Sequence, residues 1–331
     1  MTSSFLNQAE ESEYRAARFT AAYYQYPALT VLRVEGRDRV EWLHKLVTAD
    51  VHDLKAGQGR RSALLDAKGH FVAVFNVLMR ADDILLVADG ALLSSLLDSL
   101  RRYIFREKVQ LTDASDGFAA YAVIGPDAHT ALERSLQVDI PTAPLAFIPA
   151  SFGNLPALVI QSDALSVPSL DVLLDPALSK AFVGALGMPR LSDHTYEILR
   201  VEAGTPRWGM DLDPSVLALE APQGLNIRVD QGCYVGQEVV ARIVHRGHVN
   251  KKLVGLVLAH PVEQVAGLPI RLLDGQEEIG RITSLVYSPT FSWIALGMLR
   301  SAQAEENQEV ETEGEPRSRA RVVGLPFAKV E

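Results

Sequence analysis

The sequence predicts a mixed α+β protein with a separate all-β module at its C-terminal end. Three observations carry this. Strand-like and helix-like stretches interchange as far as Leu253, without the strict alternation of a doubly wound sheet. Beyond Leu253 the helical periods stop, and short apolar runs separated by turn residues take over. Residues of the set Ala, Val, Ile, Leu, Met, Phe, Trp, Tyr and Cys make up 48% of the 331 positions. That is enough for about two domains and for burying roughly three quarters of the unfolded surface.

The elements follow in order. "LTVLRVEG" (29–36) is a strand ending at Gly36, and "RDRVEWLHKLVTAD" a helix with Val40, Leu43, Leu46 and Val47 at helical spacing. "GRRSALLDAKGHFVAVFNVLM" is a hairpin turning at Ala67-Lys68-Gly69, and "DILLVAD" a further strand. "ALLSSLLDSLRRYIF" is an amphipathic helix, "KVQLTD" a short strand, and "FAAYAVIG" a strand that enters a helix at Pro126. The Pro-rich stretch 139–156 is a long connection. Strands "PALVIQS" and "LDVLLD" precede the helix "PALSKAFVGALG", which Gly187 stops. "SDHTYEILRVEAG" is a helix capped at Ser192 or Asp193, with Glu202 near its end. "LVGLVL", "LPIRLLD", "EIGRITSLVYS", "WIALGMLR" and "RARVVGL" are the strands of the C-terminal module, a sandwich or small barrel. The stretch 303–316 holds six glutamates and no basic residue, which predicts a solvated hairpin loop.

Composition excludes several functions. The formal net charge of -9 disfavours broad nucleic-acid binding. One cysteine allows no internal disulfide and no iron–sulfur cluster on the chain's own thiolates, so no metal is expected on this chain alone. The polar, acidic N-terminus and the lack of an apolar run of ~18 residues point away from secretion and the membrane and toward the cytoplasm. There is no phosphate loop of the G-x-x-x-x-G-K-[ST] type and no G-x-S-x-G elbow. His245 and His248 have metal-like spacing but no nearby carboxylate, which favours a surface loop. The basic loop "HRGHVNKK" (245–252) is either a solvated turn or a rim that attracts a polyanionic tail or an RNA partner.

The only thiol, Cys233, lies in "DQGCYVGQEVVAR". Val239, Val240 and Ile243 predict a helix beginning near Gly236, so Cys233 and Tyr234 stand just before its N-terminus. Free N–H groups there favour a thiolate, while cysteine is also a common inert core residue. Both readings stay open on the residues alone.

Two stretches together are specific: "LRVEAGTPRWGMDLD" (199–213) and "QGCYVGQEVVARIVHRGHVNKKL" (231–253). In this order they resemble the folate-binding superfamily of the glycine cleavage T-protein (GcvT). The motif of Gly232, Cys233, Tyr234, Gly236, Gln237 and Glu238 resembles the YgfZ branch, which serves iron–sulfur protein maturation and, through it, tRNA modification. The resemblance implies two intertwined α+β subdomains (1–255) and a C-terminal β-barrel (256–331) around a central channel for tetrahydrofolate or a derivative. It implies that Glu202 recognises the pterin ring, since a carboxylate can accept two parallel hydrogen bonds. On the residues alone Glu202 reads as an ordinary helix-end carboxylate. Arg200, Tyr196, Tyr234, Gln237 and Arg242 are the further folate-contacting residues, with Cys233 a redox- or ligand-responsive thiol at the channel. Iron–sulfur enzymes or their assembly factors are the implied protein partners.

Two departures qualify the resemblance. Aminomethyl-transferring T-proteins carry an aspartate in the strand after the glycine pair; here Ala73 and Val74 stand there, and Asn76 is neutral. General acid/base chemistry at that point is lost, so no classical aminomethyltransferase activity is expected. The alternative is a one-carbon transferase or demethylase that uses a different carboxylate. The YgfZ pattern has a lysine before G-C-Y, where this chain has Gln231, a weaker stabiliser of a thiolate.

Overall fold

The computed structural model describes residues 5–221, 225–229, 233–262, 267–273, 275–314 and 316–328. Helix α1 (Gln8–Phe19) is capped by Asn7, whose side chain and Glu10 close a reciprocal capping box. Strands β1 (Ala22–Gln25) and β2 (Leu29–Glu35) follow, then helix α2 (Arg39–His44). This helix is shorter than its apolar spacing predicts. The chain turns after His44, and Val47 forms an isolated bridge to Leu64 instead. Strands β3 (Gln58–Leu65) and β4 (Phe71–Met79) form the predicted hairpin, with Gly69 donating its N–H to Asp66 O at the turn. Strand β5 (Ile84–Asp89), helix α3 (Leu93–Arg101) and strand β6 (Gln110–Asp113) complete the first unit.

The second unit contains β7 (Ala119–Ile124), α4 (Ala128–Leu136), β8 (Phe147–Phe152), β9 (Leu155–Ser162), β10 (Ser169–Leu174) and α5 (Ser179–Leu186). The stretch 139–156, expected as a connection, contains β8 and the start of β9. Pro149 misled the sequence reading. It sits in β8, the outermost strand of its sheet, where the missing N–H breaks no ladder.

Both sheets are antiparallel. The first runs β3-β4-β5-β2-β6, the second β1-β7-β10-β9-β8. The two units are interwoven, because β1 precedes the first sheet in the chain yet pairs with β7 of the second. Helix α6 (Asp193–Glu202) begins at Ser192, whose hydroxyl accepts from the Thr195 N–H, and helix α7 (Gln237–Arg246) begins after Gly236.

The C-terminal module is a closed barrel of β11 (Lys251–Leu258), β12 (Pro269–Leu272), β13 (Glu278–Ser288), β14 (Ser292–Arg300), β15 (Glu309–Thr312) and β16 (Ser318–Val323). Its first strand starts at Lys251, ahead of residue 256. The acidic stretch 303–316 is not only a loop. Glu309-Val310-Glu311-Thr312 alternates out and in, with Val310 and Thr312 fully buried, and pairs with both β12 and β16. The density of glutamates hid that period of two. No described helix is long and apolar enough to cross a membrane.

Three parts of the chain meet at Glu202, which is fully buried. Arg18 of α1 forms an ion pair with its Oε2. Tyr14 of α1 donates to Oε1 at 2.7 Å, and Ser288 of β13 donates to the same oxygen at 2.5 Å. Removing the carboxylate would leave a half-buried guanidinium and two hydroxyls without their acceptor. Glu202→Ala is therefore expected to cost about 3–5 kcal/mol, read as a lower urea midpoint. A change under about 1 kcal/mol would show that the junction does not depend on this ion pair.

Candidate functional site

A cavity of about 420 Å3 lies between the two sheets, and α6 and the loop after it close one side. This volume is within the usual range for small-molecule sites. Strand β4 places Val74, Phe75, Asn76 and Leu78 on its wall, and Ala73 and Val77 in the core shared with α3. Strand β10 contributes Asp171 and Leu173 from the opposite sheet. Helix α6 contributes Tyr196, Glu197 and Arg200, which its 3.6-residue period puts on one face.

The aromatic wall is tightly ordered. The rings of Tyr24 and Tyr196 stack with centroids 4.0 Å apart and planes 12° apart. Tyr26 stands edge-on to both, at 84° and 79°. Its hydroxyl donates to Asp171 Oδ1 at 2.8 Å and lies 3.3 Å from the Tyr196 hydroxyl. The Tyr24 hydroxyl donates to Asp193 Oδ1 at 3.1 Å. Burial, reinforced by Asp193, pushes the Tyr24 phenol up to about 12. Burial, and next the charge of Asp171, raises Tyr26 and Tyr196 well above the ordinary phenol value. All three are neutral hydrogen-bonding groups near neutral pH.

The carboxylates differ in how firmly they are held. Glu197 is engaged by Arg200, with Nε donating to Oε2 at 2.9 Å and Nη2 pairing with Oε1. Arg207 Nη1 stands 3.7 Å from the same Oε2. Arg200 is itself buried and also donates to Asp211 Oδ2 at 2.7 Å, Thr205 O at 2.7 Å and Ser284 Oγ at 2.8 Å. Among the described residues no cation forms an ion pair with Asp171. Arg61, also on the wall, pairs with Asp163. Burial pushes the Asp171 carboxyl up to about 6, against the opposing pull of the Tyr26 and Ser162 hydrogen bonds.

The structure separates the residues that the sequence grouped together. Tyr196 and Arg200 line the cavity. Glu202 does not, and this corrects the expectation that it meets the ligand. It lies two residues beyond Arg200, about 200° around the helix, and its oxygens are taken by Arg18, Tyr14 and Ser288. Glu197 is the carboxylate that α6 turns toward the cavity, and the phase of the helix was the available signal.

Cys233, Tyr234, Gln237 and Arg242 are likewise absent from the cavity wall among the described residues. Cys233 is exposed. Tyr234 is buried in the core that joins α7 to the barrel; burial raises its phenol to about 12. Gln237 donates to Val229 O at 3.2 Å, and Glu238 and Arg242 face outward. Gln231 and Gly232 lie outside the described residues.

The rest of the motif has a packing reason. Gly236 has φ of +83°, and a Cβ there would come 2.5 Å from Asp66 O in the β3–β4 turn. A Cβ on Gly69, in that turn, would come 3.2 Å from Val239 Cγ1. The motif thus docks the start of α7 onto the hairpin. His245 and His248 are exposed, and Lys251 and Lys252 open β11. None of the four lines the cavity among the described residues.

The sequence reading missed Tyr24, Tyr26, Asp171, Glu197 and Trp208, all of which line the cavity. Asp171 carried a signal, being a lone carboxylate inside the apolar strand "SLDVLL".

The family description "GCVT N-terminal domain" matches residues 2–160, and "Glycine cleavage T-protein C-terminal barrel domain" matches residues 251–329. The chain belongs to the glycine cleavage T-protein superfamily. An aminomethyltransferase of Shouchella clausii is 28% identical over 336 residues, covering 96% of this chain and 89% of that protein. A chloroplastic Arabidopsis thaliana protein named as a transferase is 26% identical over 259 residues, covering 76% of this chain but only 59% of that protein. The crystal structure of the glycine cleavage system aminomethyltransferase T from Bartonella henselae superposes with a TM-score of 0.85 at 21% identity. It covers 96% of this chain and 89% of that one, and shows that the T-protein fold is shared. The finer YgfZ assignment rests on the motif alone.

Asp171 gives a pH-dependent prediction. Burial pushes its folded carboxyl up to about 6, against about 4 when unfolded, so the buried charge opposes folding progressively from about pH 4 to about pH 6 and by a constant amount above that. Asp171→Asn keeps an acceptor for Tyr26 and removes that charge. It should stabilise the protein by about 1–3 kcal/mol at pH 8, and the gain should vanish near pH 4. Thermal melts across pH check this; a gain that is flat with pH would contradict it.

Proposed function

We propose that this protein binds a reduced folate in the cavity between its two sheets and takes part in folate-dependent one-carbon transfer or demethylation. The observation that carries this reading is Asp171, a carboxyl near pKa 6 on the wall of an aromatic cavity. The similarity to aminomethyltransferases over nearly the whole chain supports the same reading.

The lining fits the ligand class. A pterin is flat and carries ring and amino N–H donors. The face of Tyr196 and the indole of Trp208 suit the ring, and Asp171 and Glu197 are acceptors for its donors. Arg207, half exposed, suits the anionic tail at the cavity mouth. When bound, a tetrahydrofolate supplies ring nitrogens able to accept a one-carbon unit. Asp171 is largely ionised at neutral pH and can take up one proton at its carboxylate, with Tyr26 holding its orientation. It stands in for the aspartate missing at Ala73 and Val74 on the facing strand.

A second reading is the YgfZ-type auxiliary role in iron–sulfur cluster assembly or repair, without turnover. Val74, an apolar side chain on the cavity wall, and the exposed thiol of Cys233 favour it.

Calorimetry with tetrahydrofolate should give one site per chain, and Tyr196→Ala should weaken it about tenfold or more. Asp171→Asn should leave binding within a few-fold and reduce turnover of an N-methyl or aminomethyl donor about 100-fold or more. No turnover with intact folate binding, together with loss of rescue by Cys233→Ala in a YgfZ-deficient strain, would favour the second reading. Absence of folate binding would overturn both.

A further inference from the structure

We propose that His44, Asp50 and His52 form a binding site for a divalent transition-metal ion of the zinc class. The site is separate from the folate cavity, since none of the three lines it. His44 ends α2, and Asp50 and His52 lie on the loop that leads to β3. One ligating atom from each residue falls within 4.8 Å of the other two. Donors bound at about 2.0–2.2 Å around one ion lie about 3–4 Å apart, so small side-chain shifts close the set.

The groups around this cluster point the same way. His44 is only 7% exposed, yet its Nδ1 is buried without a hydrogen bond. Asp50 Oδ1 stands 3.3 Å from that nitrogen, in reach but not in hydrogen-bond geometry. A buried imidazole nitrogen in that state lacks an electrophilic partner, and a cation shared with Asp50 supplies one. The rings of His44 and His52 stack at 3.8 Å and 22°, a contact that two protonated rings would oppose.

The outer contacts hold the ligands in place. The His52 N–H donates to Asp50 Oδ1 at 2.9 Å, tying the two loop residues together. Glu41 Oε2 lies 2.9 Å from His52 Nε2, the carboxylate–histidine pairing that orients metal-binding rings. Lys45 pairs with the other oxygen of Glu41, and Arg60 is directed to Asp53 and to the Asp50 main-chain carbonyl. Neither cation takes the Asp50 carboxylate. Two imidazoles and one carboxylate match zinc, cobalt or nickel better than magnesium or calcium. Three protein ligands leave a fourth position for water or a small anion.

The test uses the untagged full-length chain, stripped with chelator and titrated with Co2+. Visible absorption and equilibrium dialysis are the readouts. The expected result is one ion per chain with micromolar affinity and an absorption band of reduced coordination number. His52→Ala, at an exposed position, should weaken binding at least about tenfold with an unchanged circular dichroism spectrum. His44→Gln should also lose the band, and the double variant His245→Ala/His248→Ala should keep it. Dissociation constants above about 100 μM, or binding that survives His52→Ala, would overturn the proposal. So would loss of the band in the 245/248 variant alone, which would place the ion on that loop.

Discussion

Two opposite charges, two residues apart on one helix and both cut off from water, organise this molecule. Arg200 and Glu202 leave α6 on different sides, and each is anchored to β13 of the barrel. Arg200 reaches Ser284, and Glu202 is reached by Ser288. A buried charge without partners is strongly unfavourable, so the helix, the barrel and α1 are tied to a single arrangement. Asp211 adds to the constraint. It accepts from Arg200, from Thr283 at 2.5 Å and from Ser284 at 2.8 Å. The loop carrying Arg207 is fixed by the same carboxylate, through a main-chain hydrogen bond of 2.9 Å.

The cavity inherits its shape from this junction. Arg200 holds Glu197 in place, and the α6 backbone then sets where Tyr196 meets Tyr24. In the second sheet β7 lies between β1 and β10, and Tyr26, just beyond β1, reaches Asp171 of β10. The site is therefore an aromatic wall with one strongly neutralised carboxylate, Glu197, and one only hydrogen-bonded carboxylate, Asp171.

Local structure was legible where a single period or cap dominates. The β3–β4 hairpin, α6 behind Ser192 and α5 before Gly187 all follow from such signals. Strand β8 was hidden by Pro149 and strand β15 by its glutamates, because edge position and alternation outweigh composition there. The cavity was largely illegible. Its residues come from positions as distant as 24, 76, 171 and 207, and only the folded topology joins them. The stretches 199–213 and 231–253 together point to the superfamily, but Gly236 serves helix docking rather than the cavity. Glu202 differs, since its motif is legible while the helix phase turns it away from the cavity toward Arg18, Tyr14 and Ser288.

The most direct test of this account is a crystal structure of the protein with tetrahydrofolate. The account predicts the pterin against Tyr196, hydrogen-bonded to Asp171 or Glu197, with Glu202 still paired to Arg18. A pterin bound by Glu202, or seated beside Cys233 outside the cavity, would contradict it.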